Sequence, residues 1–201
     1  MQLTLITDQP TTTKLNVEES RDRGNIILDA VNATPIPLDR AKQPSSGAYL
    51  LLYHGDHGLY RTIRQPTHPA LPRSIVEQGG RPIYAGSAFN LAARTQCHRL
   101  KLQRSADLNP RDFTTLLLIT ERAAAALYAE QVLIDEFQPV WNQRWLGGFG
   151  SKSQGHVRVG GQRSPRWNLL HASIPVANSA ANATERALLA KRIEGHFGKL
   201  A

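Results

Sequence analysis

The chain of 201 residues is long enough to bury a core and is expected to form one domain. Its 24 lysines and arginines against 16 acidic residues leave a net charge of +8, which favours an anionic partner, nucleic acid before a membrane surface. One cysteine, Cys97, excludes an internal disulfide framework and fits a reducing compartment; no run approaches the roughly 20 apolar residues of a membrane span, and residues 1–20 do not read as a secretion signal.

Residues 1–46 are irregular in pattern and are expected to form an arm or peripheral layer, with one short element at Ile26–Val31. Ala48–Gly55 is rich in aromatic and aliphatic residues and reads as a strand. Residues 56–81 carry too many prolines and glycines for one regular element; a short segment around Leu59–Ile63 is expected, then a long excursion. PIYAG, Pro82 to Gly86, reads as the next strand. Leu91–Leu102 reads as a helix capped by Asn90 or Ser87.

Asn109-Pro110 marks a turn before FTTLLLIT, a buried strand from Phe113 to Thr120. Glu121–Phe137 is expected as a helix capped by Thr120 and ended by Pro139. A last helix is expected from Ala183 to Gly198, opened by Asn182 or Thr184. The span from Phe137 to Thr184 holds no acidic residue, but holds Arg144, Lys152, Arg158, Arg163 and Arg166 with His156 and His171. Uncompensated positive charge among glycines suits phosphate contacts.

Two local patterns carry chemistry. Helical spacing puts Ala123, Ala126, Leu127, Ile134 and Phe137 in one apolar stripe with Glu130 in its middle. A carboxylate there must be paired, hydrated or bound to a cation: a structural salt bridge is one solution, a hard cation such as Mg²⁺ or Mn²⁺ the other. Asp135 and Glu136 fall off the stripe, as surface acids. Arg94 and His98 stand one helical turn apart, either as a basic surface or as a phosphate-binding fork beside a proton carrier. Tyr49 and Tyr53 share one strand face; Cys97 is expected on another helix face than His98, with no catalytic role. Trp141, Trp145 and Trp167 suit either core anchors or the frame of a DNA-facing loop.

In order, Gly47-Ala48-Tyr49, Tyr84-Ala85-Gly86, Arg94 with His98, and AEQVLIDEFQPVWN ending at Asn142 resemble the GIY-YIG nucleases. The likeness is clearest over 47–150; beyond the catalytic core, WNQRWLGGFG with the glycine- and arginine-rich loop resembles the family's small homodimeric Type II restriction endonucleases that cut CCGCGG. It implies an α+β fold, a three-stranded antiparallel sheet flanked by helices, in a single nuclease domain: arm 1–46, core 47–145 with an insertion at 56–81, and a basic extension 146–201. It implies catalytic roles for Tyr49, Tyr84, Arg94, His98, Glu130 and Asn142, with Glu130 holding Mg²⁺, or Mn²⁺ in its place.

Tyr49, with its pKa lowered by the metal and arginine environment, is the first choice to take the water's proton; His98 assists it or is the base itself. Asn142 is expected to brace the Glu130 region. Arg104, Arg144, Lys152, His156, Arg158, Arg163 and Arg166 become the expected DNA contacts of a homodimer on double-stranded DNA in a prokaryotic cytoplasm. Ala48 and Ala85 replace the motif isoleucines, and Ser87 stands where several restriction-type relatives carry a lysine. A structure-specific or nicking nuclease, or a catalytically silent DNA-binding protein, are the alternatives.

Overall fold

The computed structural model describes residues 2–5, 13–16, 35–61, 63, 80–120, 122–146, 166–171 and 180–198. In chain order the elements are β1 (Gln2–Leu5), β2 (Thr13–Asn16), β3 (Ile36–Pro37), β4 (Gly47–Tyr53), α1 (Gly58–Arg61), β5 (Arg81–Ala88), α2 (Leu91–Gln103), β6 (Phe113–Thr120), α3 (Ala123–Phe137), α4 (Arg166–Leu170) and α5 (Ala180–Phe197). Short 3₁₀ turns sit at Pro110–Asp112, Val140–Asn142 and Arg144–Leu146. Among the described residues, no helix is long and apolar enough to cross a membrane.

The expected three-stranded sheet is present as β6-β4-β5, antiparallel throughout. It is wider than expected: β1 pairs with Leu118–Thr120 and β3 with Thr114–Thr115 on the same side of β6, while β2 extends the sheet beyond β1. The N-terminal stretch thus supplies sheet strands; Ile26–Val31 lies outside the described residues. The short segment expected near Leu59 is α1.

All seven residues of β4 are buried, because both faces of the sheet are covered. Register puts Tyr49 beside Gly86 and Leu51 beside Tyr84 on one face, and Ala48 beside Ser87 and Leu50 beside Ala85 on the other. Helix α3 packs on the Leu50 face, and α2, the Trp141 turn and the C-terminal helices cover the Tyr49 face. A strand buried on both faces has no polar face to alternate with. Truncating Leu50 or Leu51 to alanine is expected to cost about 2–5 kcal/mol. Gly47 opens β4 because a side chain there would strike the β6 backbone at Leu118 and sit 2.9 Å from Leu91.

Asn90 caps α2, accepting from the Ala93 amide at 2.9 Å. The segment before β4 is tied to the same helix start, since Leu91 and Ala92 donate to Ser45 and Gln43 carbonyls. Helix α3 starts at Ala123, later than expected, and Thr120 does not cap it. Thr120 remains in the sheet, its amide donating to Ser46 at 2.9 Å, and Arg122 takes the cap position without a side-chain bond. Gln138 adopts the left-handed conformation (φ 43°) that stops α3, and Pro139 follows. Helix α5 begins at Ala180, so Asn182 and Thr184 lie inside it; the alanines around them favour extension over a cap.

Candidate active site

Tyr49 sits in the middle strand with its ring laid across Gly86 of β5. A side chain at Gly86 would overlap the Tyr49 hydroxyl and lie 2.7 Å from Cζ, so the glycine is required by the tyrosine. From α2, His98 comes down on the same hydroxyl, with Tyr49 Oη and His98 Nε2 2.7 Å apart and buried. Tyr84 completes the cluster, its ring 6.1 Å from that of Tyr49 and 5.6 Å from that of His98.

The chain's own groups act on this pair in both directions. Burial, and then the neighbouring Tyr84, push the Tyr49 pKa well up; Arg94 pulls it down, but Glu130 adds to the rise. The chain's own groups therefore do not make Tyr49 a ready phenolate. Burial, then Arg94 and Lys101, lower His98 to about 3. His98 is a neutral imidazole near pH 7, able to accept the Tyr49 proton.

The remaining expected residues gather around β5, which forms the edge of the sheet. Asn142 reaches back from its 3₁₀ turn and pairs with both backbone groups of Ala85, accepting from its amide at 2.7 Å and donating to its carbonyl at 2.9 Å. Among the described residues no strand pairs with this side of β5, and the side-chain amide takes that place and braces Tyr84-Ala85-Gly86, rather than the Glu130 helix. On the opposite face, Ser87 donates from Oγ to Glu130 Oε2.

Glu130 is half-buried at the margin of the α3 stripe, whose buried residues are Ala125, Ala126, Ala129, Leu133 and Phe137. The stripe is rotated from the expected one: Leu127 is 61% exposed. A single half-buried carboxylate held by Ser87, which shares a cavity wall with Arg94, suits Mg²⁺, which keeps several waters and commonly takes one or two carboxylates plus phosphate oxygens. Arg94 and Cys97 line one cavity of about 450 Å³ with Ser87 and Phe89. Cys97 therefore faces the space next to Arg94, on another face than the buried His98.

The expected DNA contacts are scattered. Arg104 is exposed at the end of α2, Arg144 is exposed in its 3₁₀ turn, and Arg166 opens α4, bonding the Trp145 carbonyl. Lys152, His156, Arg158 and Arg163 lie outside the described residues. Trp141 and Trp167 are core anchors with rings 4.8 Å apart; Trp145 is half-buried under the Arg192 guanidinium.

A second group lies toward the other end of β4. His57, Asp107 and His171 bring three ligand-type atoms within 4.8 Å of one another, a set that can hold a divalent cation. Two imidazoles and one carboxylate suit a transition metal better than Mg²⁺. The same atoms also bond each other: His171 Nδ1 lies 3.0 Å from Asp107 Oδ2, and His57 Nε2 lies 3.1 Å from it. On its far side His171 Nε2 meets the Tyr60 hydroxyl at 2.7 Å, which accepts from Trp141 Nε1 at 3.0 Å. Burial works against the Asp107 charge, but the His171 and His57 bonds outweigh it and hold the carboxyl well below the usual range. No spacing in the sequence signals this group, whose members stand 50 and 64 residues apart.

No curated protein matches the chain. A family model described as the Eco29kI GIY-YIG domain matches residues 42–197, spanning every residue of the Tyr49 cluster and its β5 edge. The chain belongs to the GIY-YIG nuclease family.

Proposed function

We propose that the chain is a sequence-specific, Mg²⁺-dependent DNA endonuclease that makes double-strand breaks by phosphodiester hydrolysis, at a GC-only palindrome such as CCGCGG. The observation that carries this reading is the buried Tyr49–His98 hydrogen bond beside Arg94 and the Ser87-held Glu130. A proton acceptor, a phosphate-binding cation and a carboxylate for a metal are then close together, as in-line hydrolysis needs.

Tyr49 hydrogen-bonds the attacking water and takes its proton on Oη as its own proton passes to His98 Nε2. Tyr49 remains a neutral phenol throughout, so its raised pKa is no obstacle. Protonating an imidazole of pKa about 3 at neutral pH costs roughly 5 kcal/mol. The negative phosphate entering beside Arg94 reduces that cost. Arg94 neutralises charge developing on the phosphoryl oxygens, and Tyr84 holds the water or phosphate in place. Glu130 would hold the divalent cation, which would supply positive charge to the phosphate as the leaving group departs. Asn142 positions the β5 edge without touching substrate.

Cutting both strands of a palindrome requires two symmetry-related sites, so the active species is a homodimer. Residues 1–201 act as one nuclease domain of a prokaryotic cytoplasm, with Arg104, Arg144, Lys152, His156, Arg158, Arg163 and Arg166 on the DNA. Digestion of a fully sequenced plasmid with and without Mg²⁺, followed by mapping of fragment ends, tests the reading. Defined ends at one palindrome, made only with the metal, are expected; single-strand nicks or no cleavage overturn it.

A further inference from the structure

The chemistry above uses two residues of the cavity wall, Arg94 and Ser87, and leaves its interior unassigned. It lies between Ser87–Asn90, the Ala93–Cys97 turn of α2 and the first turns of α3, with a volume of about 450 Å³. Its walls are mostly small and apolar, from Ala88, Ala93, Ala123 and Ala126. Phe89 stands at its rim, 82% exposed, the most exposed large apolar side chain among the described residues. The buried Ser46 hydroxyl on its wall has no hydrogen-bond partner among the described residues.

We propose that this cavity seats the nucleoside next to the scissile phosphate, with its base against the Phe89 ring. The inference rests on the nuclease reading and deepens it. A phosphate on Arg94 is covalently joined to a deoxyribose on each side, and Arg94 is itself part of the cavity wall. Ser87, which holds Glu130, is another part. Small apolar walls admit the flat face of a sugar and base, the volume falls in the range of small-molecule sites, and an exposed aromatic is a sequence-tolerant stacking surface. The Ser46 hydroxyl offers a polar contact to that nucleoside. A second copy of the chain could also cover Phe89, but it would bring no anion to Arg94.

Cys97, the one cysteine of the sequence, is exposed on the same wall and reports occupancy. The full chain is treated with iodoacetamide in Ca²⁺, with a duplex carrying the mapped cleavage site, and Cys97 alkylation is followed by mass spectrometry. The intact duplex is expected to slow alkylation about tenfold, and the same duplex with an abasic residue beside the scissile phosphate to restore it. Phe89→Ala, at an exposed position, is expected to raise KM about tenfold on the intact duplex and to leave the abasic one unchanged. Unchanged alkylation by a parent that cleaves DNA overturns this inference alone. So does equal protection by the abasic duplex, or protection that follows protein concentration without DNA. A parent that cleaves no DNA overturns the nuclease reading and this inference with it.

Discussion

The two ends of β4 place the same pair of side chains in different surroundings. At one end Tyr49 meets His98 at 2.7 Å; at the other Tyr60 meets His171 at 2.7 Å. Burial lowers the pKa of both histidines. The difference lies in what stands behind each ring. Lys101 bears on both, but Arg94 bears on His98, whereas Asp107 bonds His171 and opposes the lowering. Tyr60 is closed in by Trp141 and by His171, which stacks on it and packs against Trp167, while Tyr49 lies near the open edge of β5 and the Arg94 cavity. On the proposed reading, the Tyr49–His98 pair serves phosphate chemistry because Arg94 bears on it from the wall of the neighbouring cavity. With a carboxylate behind it and tryptophans around it, the Tyr60–His171 pair locks a core.

The largest effects should therefore separate the two ends. Tyr49→Phe is expected to lose about 10²–10⁴ in kcat while staying folded, because the ring still fills its place over Gly86 and one buried group, His98 Nε2, loses this bond. Tyr60→Phe should do the reverse: kcat within about twofold, and a stability loss of about 1–3 kcal/mol from the buried Trp141 and His171 groups it leaves unpaired. Plasmid cleavage rates and thermal unfolding of both variants decide it. If Tyr60→Phe abolishes cleavage in a folded protein, the division of labour along β4 is wrong.

The two possible cation positions give the next test. Glu130→Ala should abolish Mg²⁺-dependent cleavage, whereas His57→Ala should keep it. Zn²⁺ should raise the melting temperature of the parent through His57, Asp107 and His171, and not that of His57→Ala. Loss of cleavage in His57→Ala would move the working metal to the far end of β4.

A pH titration sharpens the contrast further. The folded pKa of His98, about 3, lies below its unfolded value near 6.5, so the unfolded chain binds the proton first as pH falls. Stability is fully present above about pH 6.5 and is lost at up to roughly 1.4 kcal/mol per pH unit between there and about pH 3. Asp107, also depressed, adds its loss only below about pH 4. Denaturant unfolding from pH 7 to pH 4 should be flatter in His98→Gln than in the parent. An unaltered slope would mean that His98 is not held neutral.

What the sequence made legible was local. Arg94 and His98 could be placed on one face because four residues make a helical turn, and the ordered tyrosines, Glu130 and Asn142 sit in short motifs. The buried face of α3 was misjudged because Ala123 to Ala126 are identical and mark no side, leaving Leu127 to suggest the wrong one. The burial that raises the Tyr49 pKa was not legible either, since packing between strand and helix depends on contacts far apart in the chain. The same distance hid His57, Asp107 and His171, and it hid what Ser87 does.

Ser87 yields the smallest of these effects and the finest test. The resemblance marks it by the lysine it replaces; in the structure it bonds Glu130 from the strand that carries Tyr84 and Gly86. Its hydroxyl fixes one carboxylate oxygen, so on the proposed reading the other is left for the cation. Ser87→Ala should raise the Mg²⁺ concentration for half-maximal cleavage about tenfold at nearly unchanged saturated kcat, and Ser87→Thr should recover most of it. Direct Mn²⁺ binding, read by electron paramagnetic resonance, should weaken by the same factor. Equal metal affinity with a fallen kcat would instead make Ser87 a wall of the substrate site, and the Tyr49 end of β4 would then depend on Glu130 without help from its own strand.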